Sequence, residues 1–454
     1  MTVRNPRKLF RSSPLPAARF FLLLGVGVGI ISCCPKTPPP PEVAPRTEVP
    51  AQSRLERMKT AMVATGLDVL EREGFQRLKG RKVGLIANHS AINRRGVHLL
   101  DLVLEHPDVQ LVALFSPEHG FRGAADEKVA SGREETTGLP LHSLYGQTQR
   151  PTEEMLQGID TMVFDIQDIG ARFYTYIATM GMCMEEAGRR EIRFLVLDRP
   201  NPIGGWWFDG PIQDEDLVGE FTSFLPMPLA HGLTVGEVAQ LFNTQYGIGA
   251  DLEVVGMEGW KRDMFFDETG LPWVNPSPNM RSVDEEILYT MVGLTENPGT
   301  GLSVGRGTDR PFEYLGAPWV NGEALARELN GRDLPGVWFL PAVFVPSPLA
   351  PTGETLNYPH TGQTCRGVRV VVTNRWTIQP VQAGIHLMHA LLQLHPDHYK
   401  IDNARRLVGA SWVIDALKKG ENPESIIARW RDSEAFQRYA AAREKVLRYE
   451  FQTP

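Results

Sequence analysis

Four short apolar runs rich in β-forming residues constrain this chain more than any other feature. They are Lys82 to Ala87 (KVGLIA), Val109 to Phe115 (VQLVALF), Thr161 to Ile166 (TMVFDI) and Ile192 to Leu197 (IRFLVL). Near-continuous apolar runs of this length read as strands buried on both faces. Helical spacing fills the intervals, over Gly96 to Glu105 and again where Phe173, Tyr176, Ile177, Met180, Met184 and Ala187 recur on one face. Gly188 is placed to stop that second helix. Strand-helix alternation predicts an α/β fold with a Rossmann-like, mostly parallel sheet covered on both faces. No G-x-G-x-x-G follows the first strand, and there is neither a P-loop nor a G-x-S-x-G elbow. Nucleotide binding and serine-hydrolase chemistry are therefore disfavoured.

What ends the strands points to a site. A parallel sheet gathers its strand carboxyl ends along one edge, where ligands bind. The residues at or just beyond those ends are Asn88 and His89, then Glu118 and His119 in SPEHG, then Asp165, Asp168 and Arg172, then Asp198, Arg199 and Asn201. Strands that exit to solvent also end in polar residues, which explains one or two such groups. Four clusters of carboxylate, His, Arg and Asn on one edge argue for a site. Residues 124 to 150 read as a long irregular loop, either a functional lid or a solvated excursion.

The second half is less regular. Pro272 to Met280 reads as an extended crossover between halves. Glu296 to Trp319 is dense in Gly and carries Arg306, Asp309, Arg310, Phe312 and Trp319. That mixture suits a binding loop, since aromatic rings stack on sugars and guanidinium grips carboxylates, but it also suits a plain cluster of turns. Arg366 to Thr373 reads as a strand, and Pro380 to Leu394, Asp402 to Lys419 and Ser433 to Arg448 as helices.

The first 52 residues stand apart. Arg4, Arg7, Lys8, Arg11 and Arg19 precede the apolar run Phe20 to Ile31, which is short for a membrane span. The run ends at Ser32-Cys33, which resembles a bacterial lipoprotein signal with Cys33 as the lipidated residue. Pro35 to Pro50 is a Pro-rich tether. The expected division is a signal over residues 1–34, a tether over 35–52, a Rossmann-like catalytic domain over 53–275 and a smaller α/β domain over 276–454. Ser53 to Val63 has helical spacing with Ser53 as N-cap. Cys183 and Cys365 remain in the folded part, too few for a disulfide scaffold, and no spacing resembles a zinc site. A net charge of -7 argues mildly against a nucleic-acid partner.

Several separated stretches together resemble the exo-acting β-N-acetylmuramidases. They are GLIANHS (Gly84 to Ser90), SPEHGFRG (Ser116 to Gly123), FDIQDIGARFYTY (Phe164 to Tyr176), LDRPNPIGG (Leu197 to Gly205), PLAHGLTVGE (Pro228 to Glu237), PSPNM (Pro276 to Met280) and SVGRGTDRPFEYLGAPW (Ser303 to Trp319). The run ENPGTGL at Glu296 to Leu302 departs from the usual Glu-Gly-Thr-Asn of that family. The resemblance implies a site in a cleft between two domains and release of N-acetylmuramic acid (MurNAc) from the non-reducing ends of peptidoglycan fragments such as MurNAc-β-1,4-GlcNAc. It implies no metal or organic cofactor.

Glycoside hydrolysis then asks for an acid and a second carboxylate. Glu118 is the expected acid, and Asp168 the leading second group, with Asp165 behind it and Glu296 as a candidate from the other domain. Arg172, Arg199 and Arg306 are candidates for the lactyl carboxylate. Asn88, His89, His119 and Asn201 are candidates for sugar hydroxyls, and Tyr174 for packing on the ring. The expected location is the cell envelope, held by the N-terminal lipid, facing the periplasm from the outer membrane. The alternative is a non-catalytic lipoprotein that binds peptidoglycan fragments.

Overall fold

The computed structural model describes residues 63–118, 121, 131–146, 148–296, 298–349, 355 and 357–451. The leader with Cys33, the tether, the helical spacing at 53–62 and His119 lie outside the described residues. Seven strands form the main sheet: β1 (Lys82–Ala87), β2 (Gln110–Ser116), β3 (Gly132–Arg133), β4 (Pro140–Ser143), β5 (Thr161–Asp165), β6 (Arg193–Leu197) and β7 (Leu252–Val255), in the order β3-β4-β2-β1-β5-β6-β7. All neighbours pair in parallel except the edge pair β3 and β4. The chain winds outward from β1 through β2 to β4, then returns to β5 on the other side of β1. That reversal makes a switch point at the carboxyl ends of β1, β2 and β5.

The pleat sorts the strand residues into two cores. Val83, Leu85, Ala87, Leu114, Val163, Leu195 and Leu197 face one side, where α1 (Gly66–Arg72) and α2 (Leu99–Leu104) pack. Ile86, Ala113, Phe115, Met162, Phe164, Phe194 and Val196 face the other, against α3 (Tyr176–Arg189) and α4 (Val235–Thr244). Period-two alternation thus buries both faces, as a parallel sheet requires. The second core does not stop at the sheet; it continues without a break into the second half of the chain.

That half opens with α5 (Val283–Val292) and builds a three-stranded antiparallel sheet from β8 (Tyr314–Ala317), β9 (Val337–Phe344) and β10 (Cys365–Val372), with β10 central. Helix α6 (Gly322–Asn330) lies between β8 and β9 in the chain, and α7 (Pro380–Leu394) follows β10. The last helices, α8 (Arg405–Val408), α9 (Ser411–Lys418), α10 (Pro423–Arg431) and α11 (Glu434–Glu444), lead back to the first half. There Trp430 Nε1 donates to Asp209 at 3.0 Å, the Tyr439 hydroxyl to the His231 carbonyl at 2.6 Å, and the Tyr449 hydroxyl to Asp198 at 2.5 Å.

Five expectations change. Residues 124 to 150 are not wholly irregular, since β3 and β4 lie there; both are shorter than the usual strand and contain Gly or Pro. The strands β7, β8 and β9 and the helices α1, α4, α5, α6 and α10 are additional elements. Helix α3 runs through Gly188 to Arg189, because Gly188 serves packing: a Cβ there would lie 3.3 Å from the Ala250 Cα. The expected helix from Asp402 to Lys419 is broken at Gly409, which has a φ of 83°. The helix expected to reach Arg448 ends at Glu444.

The break at Gly409 has a specific cause. Arg172, 1 % exposed, donates to the carbonyl oxygens of Leu407 and Val408 at 2.8 and 3.0 Å, and to those of Pro211 and Met227 at 3.3 and 3.2 Å. A Cβ on residue 409 would sit 2.4 Å from its Nη2. Gly409→Ala therefore meets both a left-handed backbone and a collision, and is expected to cost about 2 kcal/mol or more in urea unfolding. An unchanged unfolding midpoint would remove Arg172 from its role as the tie between the halves.

Candidate active site

Glu118 stands at the carboxyl end of β2, two residues beyond its last paired residue, with Pro117 buried behind it. Its half-buried carboxylate accepts a 2.8 Å hydrogen bond from the Thr175 hydroxyl. Thr175 is the residue before α3, so its position is set by the segment leaving β5. Residue Gly170 in that segment has a φ of 85°, and a Cβ there would meet Asn201 Oδ1 at 2.7 Å. Only glycine suits both demands.

The second half contributes an aromatic cluster around Tyr289. The ring of Tyr289, on α5, packs on Phe173, Tyr174 and Phe312. Burial raises its phenol well above the usual range, and the carboxylates of Glu296 and Glu118 raise it further while Arg306 opposes them. The charges that act on Tyr289 thus come from Glu118 in one half and from the ion-paired Glu296 and Arg306 in the other. The Arg306 guanidinium also lies over the rings of Phe312 and Tyr358, at 5.4 and 5.8 Å. Phe312 holds a φ of 62°, a costly conformation for a bulky residue, and clusters with the site as such strain often does.

Asp168 sits deeper. It is 4 % exposed, its Oδ1 is shut off from solvent without a partner, and its Oδ2 accepts from the Gly170 N–H at 2.7 Å. The same oxygen meets His231 Nε2 at 3.0 Å. His231 Nδ1 accepts the Leu233 N–H at 3.2 Å. That bond leaves the proton on Nε2, so the imidazole donates to Asp168. A carboxylate so enclosed supports the turn at Gly170 and does not present itself to a sugar ring.

Other expected groups take structural duties. Asp165 and Arg199 form a two-pronged buried pair at 2.5 and 2.9 Å, and Arg199 also donates to the Ile92 carbonyl at 3.0 Å. Neither is available as a catalytic acid or a carboxylate clamp. Arg172 is likewise removed from the list of lactyl-binding groups by its bonds to backbone carbonyls. Asn201 donates to the Leu233 carbonyl at 3.0 Å and accepts from the Ile203 N–H at 3.2 Å, which fastens a turn. Asn88 is fully buried; its Oδ1 receives the Ser90 N–H and hydroxyl at 2.9 and 2.6 Å. His89 Nε2 lies 2.6 Å from the Asn275 carbonyl, at the crossover strap. Tyr174 is 7 % exposed and its ring meets Tyr176 and Tyr289, so it lines the wall beneath the site.

The structure therefore pairs Glu296 with Arg306, holds Glu118 on Thr175 at the end of β2, and buries Asp168 at the turn of Gly170. It adds three residues that sequence reasoning missed: His231, Tyr289 and Glu286. Among the described residues no three His, Cys, Asp or Glu side chains group to hold a metal ion.

These features define a two-part α/β protein with a site at the switch point of a doubly wound sheet. Its residues 83–284 match the N-terminal model, and 287–449 the C-terminal model, of exo-β-N-acetylmuramidase NamZ. The chain belongs to that family. It is 41% identical over 402 residues to the peptidoglycan β-N-acetylmuramidase NamZ of Bacillus subtilis strain 168, spanning 87% of this chain and 94% of that protein. Two crystal structures of DUF1343 family proteins from Bacteroides fragilis share the fold. One superposes with a TM-score of 0.78 at 33% identity, covering 86% of this chain and all of the other. The second gives 0.68 at 29% identity, covering 86% and 99%.

Proposed function

We propose that this protein is an exo-acting glycoside hydrolase that releases MurNAc from the non-reducing ends of peptidoglycan fragments, with MurNAc-β-1,4-GlcNAc as the smallest substrate. Membership of the muramidase family supports the reaction class. The observation that supports the assignment of roles is the position of Glu118 at the carboxyl end of β2, with its charge and those of the paired Glu296 and Arg306 all acting on the phenol of Tyr289. Glu118 is the acid that protonates the leaving glycosidic oxygen, oriented by the Thr175 hydroxyl. Glu296 is the second carboxylate, supplied by the other half across Tyr289.

The lactyl group of MurNAc carries a carboxylate, so the terminal sugar needs a cation. Arg306 is that cation. A guanidinium has five N–H donors in a fixed fork and serves Glu296 and a substrate carboxylate together. His89 and His119 are the proposed partners of sugar hydroxyls.

The N-terminus supports a place in the envelope. A basic stretch, an apolar run and Ser32-Cys33 fit a lipidated leader, with the tether spacing the enzyme from an outer membrane whose inner face it works on. Cys33→Ala is expected to move the protein from the membrane to the soluble fraction of fractionated cells; retention in the membrane would argue for a different anchor.

Incubation with MurNAc-β-1,4-GlcNAc tests the activity. The wild type is expected to release MurNAc, and a folded Glu118→Gln variant to lose about a hundredfold to ten-thousandfold in kcat. Binding without release by the wild type would leave a glycan-binding lipoprotein. Release that persists in Glu118→Gln would shift the acid to Glu296.

A further inference from the structure

Large apolar side chains stand in water singly on most protein surfaces, and a cluster of them marks a contact surface. Among the described residues nine are exposed, and five of these fall between Trp338 and Leu349, on β9 and the loop after it. Trp338, Leu340, Val343, Val345 and Leu349 are 42 to 69 % exposed. The pleat accounts for the first two. Val337 and Phe339 point into the core with Leu325 and Leu329 of α6, so Trp338 and Leu340 point the other way, beside Val371 and Arg369 of β10.

Strand β9 is also an edge, and an apolar edge ordinarily invites another strand. Here the backbone refuses one. The two backbone groups of a residue in an antiparallel strand point the same way, so those of alternate residues face the open side. Phe339 is one of them, and the Asn330 side chain at the end of α6 takes both its groups. The Asn330 amide donates to the Phe339 carbonyl at 2.8 Å, and its oxygen accepts the Phe339 N–H at 3.0 Å. Pro341, the next residue on that row, has no N–H to give. The middle of the edge is closed to pairing while its side chains stay exposed.

The chemistry of those side chains selects the partner. From Val337 to Val345 the run is VWFLPAVFV, whose one polar side-chain group is the Trp338 indole N–H. A glycan asks for several hydrogen-bonding groups beside a ring, which this run lacks. No charged residue stands between Asp333 and Glu354, and Arg366 and Arg369 border the face from β10. A tryptophan among aliphatic side chains, with guanidinium groups at the border, suits the headgroup boundary of a bilayer. The chain itself points to one. Cys33 is the proposed lipidated residue, and Val63 follows it by 30 residues, a length that spans at most about 100 Å. Such a tether brings the folded part to the membrane without choosing which face meets it.

We propose that the β9 edge, with Trp338, Leu340, Val343 and Val345, is a docking surface that seats in the headgroup boundary of a phospholipid bilayer. This role goes beyond the muramidase reading and rests on the envelope reading for the nearness of the bilayer. The net charge of -7 means that apolar burial, and not attraction to anionic lipid, drives the contact, so added salt is expected to change it little. Docking also bears on the site. In the loop after β9 the Ser347 N–H donates to the Gly307 carbonyl at 2.8 Å, next to Arg306. The loop that carries Arg306 is thereby held beside the membrane surface.

Vesicle binding tests the surface with the mature chain from residue 34, which lacks Cys33 and keeps every described residue; the cores begin at Val63. Vesicles of phosphatidylcholine, and of phosphatidylethanolamine with phosphatidylglycerol, are used. The wild type is expected to cosediment with both. A triple variant, Trp338→Gln, Leu340→Gln and Val343→Gln, is expected to partition about tenfold to a hundredfold more weakly. Its release of MurNAc from the soluble disaccharide is expected to be unchanged. Brominated lipids are expected to quench the wild type more than Trp338→Phe, a variant that keeps the surface. Equal partition of wild type and triple variant, or equal quenching with and without Trp338, would overturn the surface. A wild type that ignores vesicles but forms a dimer lost in the triple variant would replace it with a contact between copies. Binding to insoluble peptidoglycan, lost in the triple variant without any vesicle binding, would replace it with a glycan platform. The surface alone binds reversibly, so cell fractionation still releases Cys33→Ala. Failure of the anchor is read from that fractionation, and failure of the muramidase reading from MurNAc release, each apart from vesicle binding.

Discussion

The site depends on how one short buried segment, residues 166 to 175, satisfies its polar groups. It leaves the central strand β5 and cannot reach water, so each donor and acceptor needs a partner inside the protein. Gln167 donates to the carbonyls of Asp168 and Pro200. Asp168 takes Gly170 and His231. The Arg172 backbone N–H goes to Leu229, and its guanidinium to carbonyls of both halves. Only after these bonds are made does Thr175 reach Glu118. Buried polar networks of this kind cost much when partly satisfied and specify one geometry when complete.

The second half contributes in two ways. Its helix α5 carries the buried Glu286 and Tyr289 one turn apart, and the Tyr289 ring packs on Phe173 and Tyr174 of the first half. Its Gly-rich loop adds Glu296 and Arg306. Neither half holds the whole constellation, and the shared core makes their relative placement a packing property and not a hinge.

Much of this was readable from residues. The strands β1, β5 and β6 announce themselves as continuous apolar runs, and Pro380 at the first turn marks α7. The edge strands β3 and β4 were missed because two and four residues carry too little periodicity. Helix α4 was missed although Thr234 and Glu237 form a capping box, a signal that was present and unread. Within the site, Glu118 and Arg306 were visible as charged groups beside Pro or Gly at a break in structure. The roles of Asp165, Arg172, Arg199 and Asn201 were not, since sequence shows a charge but not the partner that consumes it. Tyr289 and Glu286 lie inside an ordinary helical run, where no local pattern separates a working side chain from a packed one.

The measurement that tests the central claim most directly is a crystal structure of Glu118→Gln with MurNAc-β-1,4-GlcNAc bound. The account predicts the glycosidic oxygen within hydrogen-bonding reach of residue 118 and the lactyl carboxylate on Arg306, with Asp168 untouched beneath. A disaccharide seated elsewhere, or a lactyl group turned away from Arg306 toward another cation, would contradict it.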